Sequence, residues 1–125
     1  MERQSDTLQV GQKLVELCKK GQNLKAVEQL YSDKIESHEA MSMPGMPEGV
    51  NGIEAIRKKN KEWEETMDVH SMEVDGPFPC GDRFAVYFKV DATDKKTKKR
   101  MKMNEVGLYT VHNGKIIKEE FFYAM

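Results

Sequence analysis

Two carboxylates stand where a sheet-forming sequence should carry apolar side chains. Glu105 lies in the run Arg100–His112 and Glu119 in the run Lys115–Tyr123, each inside an apolar or aromatic alternation. Successive strand side chains point to opposite faces, so a residue in phase with the apolar set faces whatever covers the sheet. A carboxylate there is costly unless it has a partner or a task. Proton transfer is such a task. Burial and a neighbouring carboxylate both hold a proton on an acid to higher pH, which poises it as a general acid or base near neutrality. The alternative is that one or more of these glutamates is paired by Lys or Arg, or lies on the outer face. For Glu119 the two readings are one residue apart, because Glu120 follows it and a one-residue slip exchanges their faces.

The strands that would position these acids are joined to a third, Arg83–Ala92, in which Phe84, Val86, Phe88 and Val90 alternate with Arg83, Ala85, Tyr87 and Lys89. A half-buried sheet needs cover, and the upstream helices must provide it. Asp6 and Gln9 can cap a first helix with Leu14, Val15, Leu17 and Cys18 on one side, and Lys19-Lys20-Gly21 suits its end. Asn23 can cap a second helix with the stripe Leu24, Val27, Leu30 and Tyr31. A short polar strand follows from Ile35 to Ala40, then Met41–Gly49, rich in Met, Pro and Gly, read as a pocket mouth or a plain surface loop. A third helix opens at Asn51–Glu54, with the inward seam Ile53, Ile56, Asn60, Trp63 and Met67. Asn60 is either at the pocket end or a satisfied structural amide, and Arg57, Lys58, Lys59 and Lys61 fall on the solvated face. A strand Val69–Val74, a bent segment Asp75–Pro79 and a turn at Gly81-Asp82 complete the order α-α-β-α-β-β-β-β.

The 125 residues suffice for one domain, 1–125, with its own core. Charged residues make up 33 % of the chain but balance to a net −1, which argues against a nucleic-acid or membrane footprint. The basic tip Asp94–Arg100 reads as a solvated hairpin end that resists strand pairing. No apolar run approaches the roughly 20 residues of a membrane span, and Met1–Asp6 lacks the apolar core of a signal peptide. Cys18 and Cys80 are too few and too far apart for a zinc ribbon or a disulfide framework. His70 and His112 read as surface, and no metal-ligand spacing is visible. A cytoplasmic protein without metal or other cofactor is expected.

The order of elements resembles the nuclear-transport-factor-two-like superfamily, and within it the SnoaL-like polyketide-cyclase and ketosteroid-isomerase-like branch. Four pieces carry the likeness: Leu30-Tyr31-Ser32-Asp33, the strand Ile35–Glu39, Gly52-Ile53-Glu54-Ala55-Ile56, and Asn113-Gly114-Lys115-Ile116 leading to Phe121-Phe122-Tyr123. The resemblance implies an α+β fold: three N-terminal helices packed in a strongly curved, mixed, mainly antiparallel sheet, a cone with an internal pocket. It places Glu39 where the isomerases carry a proton-shuttling aspartate, and Glu119, Phe121 and Tyr123 on pocket-lining positions. His38 resembles a histidine often seen on this strand, a candidate base or a hydrogen-bonded structural residue. The oxyanion-binding tyrosine of the isomerases falls near Leu14, and their protonated aspartate near Gly107 with Glu105 one step along, so steroid isomerisation is not expected.

The functional reading groups Glu39, Glu105 and Glu119, with His38, as the catalytic set. Tyr31, Asn60, Trp63, Tyr109, Phe121 and Tyr123 form the substrate-binding set. The ligand would be a small apolar or carbonyl-containing molecule, and the reaction an acid–base isomerisation or cyclisation of a polyketide-like substrate. Epoxide hydration usually wants a buried Arg between acids, which neither Arg57 nor Arg83 obviously supplies. The family commonly dimerises through the open sheet face, so a homodimer is expected. A non-catalytic ligand-binding or dimeric assembly domain is the alternative, and convergence of the three glutamates is what separates the two.

Overall fold

The computed structural model describes residues 2–39 and 49–123. The chain runs α1 (Glu2–Lys19), α2 (Asn23–Leu30), β1 (Tyr31–His38), β2 (Gly49–Asn51), α3 (Ile53–Thr66), β3 (Met67–Cys80), β4 (Arg83–Asp94), β5 (Arg100–His112) and β6 (Lys115–Tyr123). The six strands form one open sheet in the order β2-β1-β6-β5-β4-β3, antiparallel except where β1 lies parallel to β6. This is the expected α+β architecture of three helices against a curved, mainly antiparallel sheet.

Several details differ from the sequence reading. α1 already begins at Glu2, so Asp6 lies inside the helix instead of capping it. The short strand β2 pairs with the end of β1 and precedes α3. Tyr31 opens β1 instead of closing α2. β3 runs through the bent segment as one strand, with its register against β4 shifting between Asp75 and Phe78. A bulge there absorbs Pro77, which has no N–H to give to a ladder. The methionine-rich loop falls mainly on residues 40–48, outside the described residues.

α1 ends as its sequence predicts. Gly21 takes a positive φ of 71°, the Gln22 N–H bonds the Leu17 carbonyl at 2.9 Å, and the Gly21 N–H bonds that of Cys18 at 3.0 Å. This left-handed closure satisfies the last carbonyls and turns the chain straight into α2. The turn leaves Gln22 in the cap position, with no side-chain cap, so Asn23 begins the helix instead of capping it.

The inner face of the sheet is read along its ladders. Phe84, Val86, Phe88, Val90 and Ala92 of β4 are buried, and opposite them on β5 stand Tyr109, Gly107, Glu105, Met103 and Met101. β6 continues the same rows with Glu119, Phe121 and Tyr123. Leu14, Leu17, Val27, Leu30 and Ile56 cover this face from the three helices. No helix among the described residues is long and apolar enough to cross a membrane.

α1 approaches the sheet most closely at Gly11. A Cβ at that position would lie 2.8 Å from Pro77 Cβ and 3.2 Å from the Phe84 ring. Neither a proline ring held in the backbone nor a core phenylalanine can easily give way. In an open helix Gly→Ala stabilises by up to ~1 kcal/mol. Here Gly11→Ala is expected to destabilise by about 1–3 kcal/mol through overpacking. Urea unfolding monitored by circular dichroism gives the sign, and a stabilised variant would mean that α1 does not sit this close.

Candidate active site

β6 pairs Glu119 with Ser37 of β1 on one side and Tyr109 of β5 on the other, so all three side chains share the inner face. Glu119 is 2 % exposed, and its neighbour Glu120 is only partly buried, with Lys118 Nζ at 3.8 Å. The register thereby fixes which of the two adjacent glutamates faces inward. The buried carboxylate is held at both oxygens: the Tyr31 hydroxyl donates to Oε1, and Ser37 Oγ donates to Oε2 at 2.7 Å. Glu39, two residues beyond Ser37, falls on the same side of the chain.

Lys59 joins these groups. Its Nζ donates to Ser37 Oγ at 2.9 Å, lies 2.7 Å from Glu39 Oε1 and 3.5 Å from Glu119 Oε2, and sits 4.9 Å from the centre of the Phe121 ring. Ser37 can serve both neighbours because a hydroxyl gives one hydrogen while accepting others. The reading of Lys59 as part of the solvated face is therefore corrected. Its side chain springs from the shoulder of α3, three residues after the buried Ile56, and the long apolar stem carries the ammonium inward. Arg57, by contrast, stays at the surface with Glu28, at 2.8 Å, and Glu54. The need of buried acids for a counter-charge was the signal that could have found Lys59. Ser37 left no such signal, since a serine in a polar strand looks like any exposed one.

Glu105 is treated differently by the fold. It stands on the inner face between Phe88 and Tyr123, and among the described residues it forms no ion pair. Burial, and then the charge of Glu39, push its carboxyl from the ordinary 4.5 up to about 7; Glu119 adds to the rise and Lys59 opposes it. The three glutamates thus lie within electrostatic reach of one another, with one ammonium among them.

Aromatic side chains enclose the cluster. Tyr109 is 2 % exposed, stacks on Phe84 with ring centres 5.0 Å apart, and meets Phe121 edge-on at 6.1 Å. Its ring fills the space left by Gly107: a Cβ there would lie 2.8 Å from the ring and 2.9 Å from the hydroxyl. Leu14, the other position where the isomerases differ, is packed in the core. Burial and then Glu119 hold both the Tyr31 and Tyr109 hydroxyls well above the usual tyrosine range. Tyr31 therefore remains a donor. The Cys18 thiol is pushed up to about 12 by burial and by Glu119, which removes it as a nucleophile.

Three of the other expected members, His38, Asn60 and Trp63, do not join the cluster, whereas Phe121 and Tyr123 do. His38 is exposed, on the face of β1 opposite Ser37, because alternation turns it outward. Asn60 donates to the Ile56 carbonyl at 2.9 Å, which makes it a satisfied helix amide. Trp63, one helical turn past Lys59, lines a surface groove with Cys18 and Met72. Phe121 touches Lys59, and Tyr123 lies opposite Glu105.

The raised Glu105 fixes a pH dependence of stability. Below 4.5 the folded and unfolded chains both carry the proton. Between 4.5 and about 7 only the folded chain keeps it, so stability falls as pH rises through that window. The loss is about 1.4 kcal/mol per pH unit, on the order of 3 kcal/mol in all. Glu105→Gln should abolish this decline and be more stable than the parent at pH 8. Denaturation series at several pH values measure it, and parallel curves for the two proteins would mean that Glu105 titrates normally.

A family model described as SnoaL-like domain matches residues 5–123. Among solved structures, the chain is 45 % identical to a protein of Mesorhizobium loti assigned as a SnoaL-like polyketide cyclase, with carbohydrate phosphatase as a second designation. The match covers 92 % of this chain and 97 % of that one, with a TM-score of 0.86. A Bacillus subtilis protein assigned as an isomerase shares the fold at 13 % identity, covering 99 % of this chain and 90 % of that one, TM-score 0.78. A nuclear-transport-factor-two-like protein of Burkholderia thailandensis does so at 18 % identity, covering 94 % and 90 %, TM-score 0.79. No protein of curated function matches. The family model over nearly the whole chain and the Mesorhizobium relative together show that this chain belongs to the SnoaL-like family.

Proposed function

We propose that this protein is an acid–base catalyst acting on a small, largely apolar carbonyl compound, with Glu105 as the group that carries the proton. The observation that supports this most is the half-buried Glu105, which forms no ion pair among the described residues and has its carboxyl raised to about 7. A general base works best when its pKa lies near the working pH. As a carboxylate, Glu105 takes a proton from the carbon beside the carbonyl, and the electron pair of that C–H bond moves to the carbonyl oxygen. Returning the proton to a different carbon isomerises the substrate. Attack of the resulting enolate carbon on a second carbonyl of the same molecule closes a ring, and the proton goes to the new alkoxide.

Lys59 gives the site a fixed positive charge near Phe121, where a developing oxyanion would be stabilised. Glu119, held by Tyr31 and Ser37, and Glu39, on the ammonium, keep Lys59 in place. The Mesorhizobium relative's assignment as a polyketide cyclase is in keeping with this chemistry.

The reaction can be probed before the substrate is known. A nitrobenzisoxazole loses its ring C–H proton to a carboxylate base, the N–O bond breaks and a coloured phenolate forms. The rate should rise with pH along a single ionisation near 7, and Glu105→Gln should lower it by about a hundredfold or more. A variant that keeps the rate and the pH profile would leave a non-catalytic ligand-binding domain as the better reading.

The outer face of the sheet supports a homodimer. Tyr87, Val106 and Phe122 form one row across it, and Phe78, Ala85 and Leu108 the next. Phe78 is 55 % and Phe122 51 % exposed, an apolar surplus that a second copy would cover. Phe122→Asp should turn a dimer into a folded monomer in sedimentation experiments; a parent chain that is monomeric at high concentration would refute the assignment.

A further inference from the structure

The inner face of β5 continues past Glu105 toward the turn that joins β4 and β5. Met103 stands opposite the buried Val90 and Met101 opposite the buried Ala92, so both methionines share the face of Glu105. Both are half-buried, and Met101 packs against the core. Among the described residues β6 ends at Tyr123, opposite Glu105, and no strand lies beside β5 beyond that point. Two thioethers, which adapt to apolar chains of irregular shape, thus lead away from the proton-transfer site.

This strip ends at a strongly basic turn. Lys95, Lys96, Lys98 and Lys99 are exposed there and form no ion pair among the described residues. The nearby acids are already engaged. Asp94 Oδ1 accepts the Lys96 and Thr97 N–H groups at 2.8 and 3.2 Å, and the Arg100 guanidinium donates to both Asp91 oxygens at 2.9 and 2.8 Å. The Lys95 N–H bonds the Thr66 carbonyl at 2.9 Å, which ties the turn to the end of α3. Edge protection accounts for charge at such a tip, but not for its place at the end of an apolar strip that starts at an acid. With the four lysines set apart, the net −1 of the chain becomes −5 for the remainder. A nucleic acid or a membrane, lying against a broad surface, meets that excess; an anionic group that touches only the turn does not.

Distance separates the two ends of the strip. Lys99 is six residues from Glu105, about 20 Å at the rise of a strand. Exposed charges are screened over about 8 Å at physiological ionic strength, so an anion at the turn is clear of Glu39, Glu105 and Glu119. An anion beside those carboxylates would meet all three, with the Lys59 ammonium alone to offset them. The charges therefore select which end of an elongated ligand goes in.

We propose that the substrate is an elongated apolar carbonyl compound with an anionic far end: the carbonyl lies at Glu105, the apolar body runs along Met103 and Met101, and a carboxylate or phosphate rests on the lysines of the β4–β5 turn. The identity of the reactive end rests on the acid–base reading above. A long-chain keto acid and a thioester on a phosphorylated arm both have this chemistry.

Decanoate, decyl phosphate and 1-decanol, each below its aggregation limit, separate the contributions of chain and charge. The Met101 and Met103 methyl resonances report occupancy of the strip without any turnover. At least one of the two anions should shift them saturably and bind about tenfold more tightly than decanol, the worth of two exposed ion pairs. The tighter anion identifies the group. Lys98→Gln combined with Lys99→Gln should bring that anion to the affinity of decanol and leave decanol unchanged; both side chains are exposed, where substitutions cost little stability. Glu105→Gln should keep the preference for the anion. Equal affinity of anion and alcohol for the parent protein would overturn the proposal. So would a preference that survives loss of both lysines, or shifts at Trp63 and Met72 with Met101 and Met103 still. Anion-selective binding without turnover of the nitrobenzisoxazole would sink the acid–base reading and leave the anion site in place.

Discussion

A carboxylate that is 2 % exposed in the middle of an apolar sheet face has to be compensated or the fold cannot hold it. Taking an ion out of water costs several kcal/mol even after relaxation. Glu119 meets this with two hydrogen-bond donors, Tyr31 at the start of β1 and Ser37 near its end, and with the Lys59 ammonium of α3 at 3.5 Å. Those contacts act as a template. β1 must run beside β6 in the register that puts Ser37 next to Glu119, and α3 must lie where a lysine stem can reach over both. An apolar replacement of the whole group could be as stable. What the ionic group adds is a single arrangement of one strand pair and one helix.

The same compensation leaves a deficit one row away. One ammonium faces three carboxylates, Glu39, Glu105 and Glu119, and the two nearest it take up its charge. Glu105 stands half-buried beside them without an ion pair among the described residues; burial and the charge of Glu39 push its carboxyl up to about 7, and Lys59 opposes the rise only in part. Its raised proton affinity comes first from burial and then from the charge of Glu39, because the lysine that could offset both is engaged by Glu39 and Glu119. At Gly107 the missing side chain lets the Tyr109 ring lie over the strand, where it stacks on Phe84 and meets Phe121 edge-on.

The fold was legible because it rests on period. The alternation of Phe84, Val86, Phe88 and Val90, the Asn113-Gly114 hairpin turn and the Lys19-Lys20-Gly21 exit each announce a local geometry that tertiary packing then keeps. The acids of the site were legible for the same reason: Glu105 and Glu119 break an apolar pattern. Their partners were not. Lys59 sits in a run of lysines on α3, and only its stem length, which no periodicity records, brings it inside. Ser37 is one serine in the polar run from Glu36 to Glu39. Between Glu119 and Glu120 the sequence could not choose, because the choice depends on pairing with Ser37 and Tyr109 across two other strands. His38 failed for the opposite reason: the resemblance put a histidine on this strand, but alternation decides which way it points.

The acid cluster and the groove share one helix, α3. Lys59 and Trp63 are four residues apart on α3, so they occupy one stripe of the helix, about 6 Å apart along its axis. Cys18 of α1 lines the groove, and its thiol feels the charge of Glu119. A movement of α3 that opened the groove at Trp63 would also carry Lys59 along the row formed by Ser37, Glu39 and Glu119. The distances there leave little slack: 2.7 Å to Glu39, 2.9 Å to Ser37 and 3.5 Å to Glu119. A shift of the ammonium toward or away from the sheet alters the positive charge that opposes the rise of the Glu105 carboxyl. The position of α3 therefore bears on the proton affinity of Glu105 through Lys59.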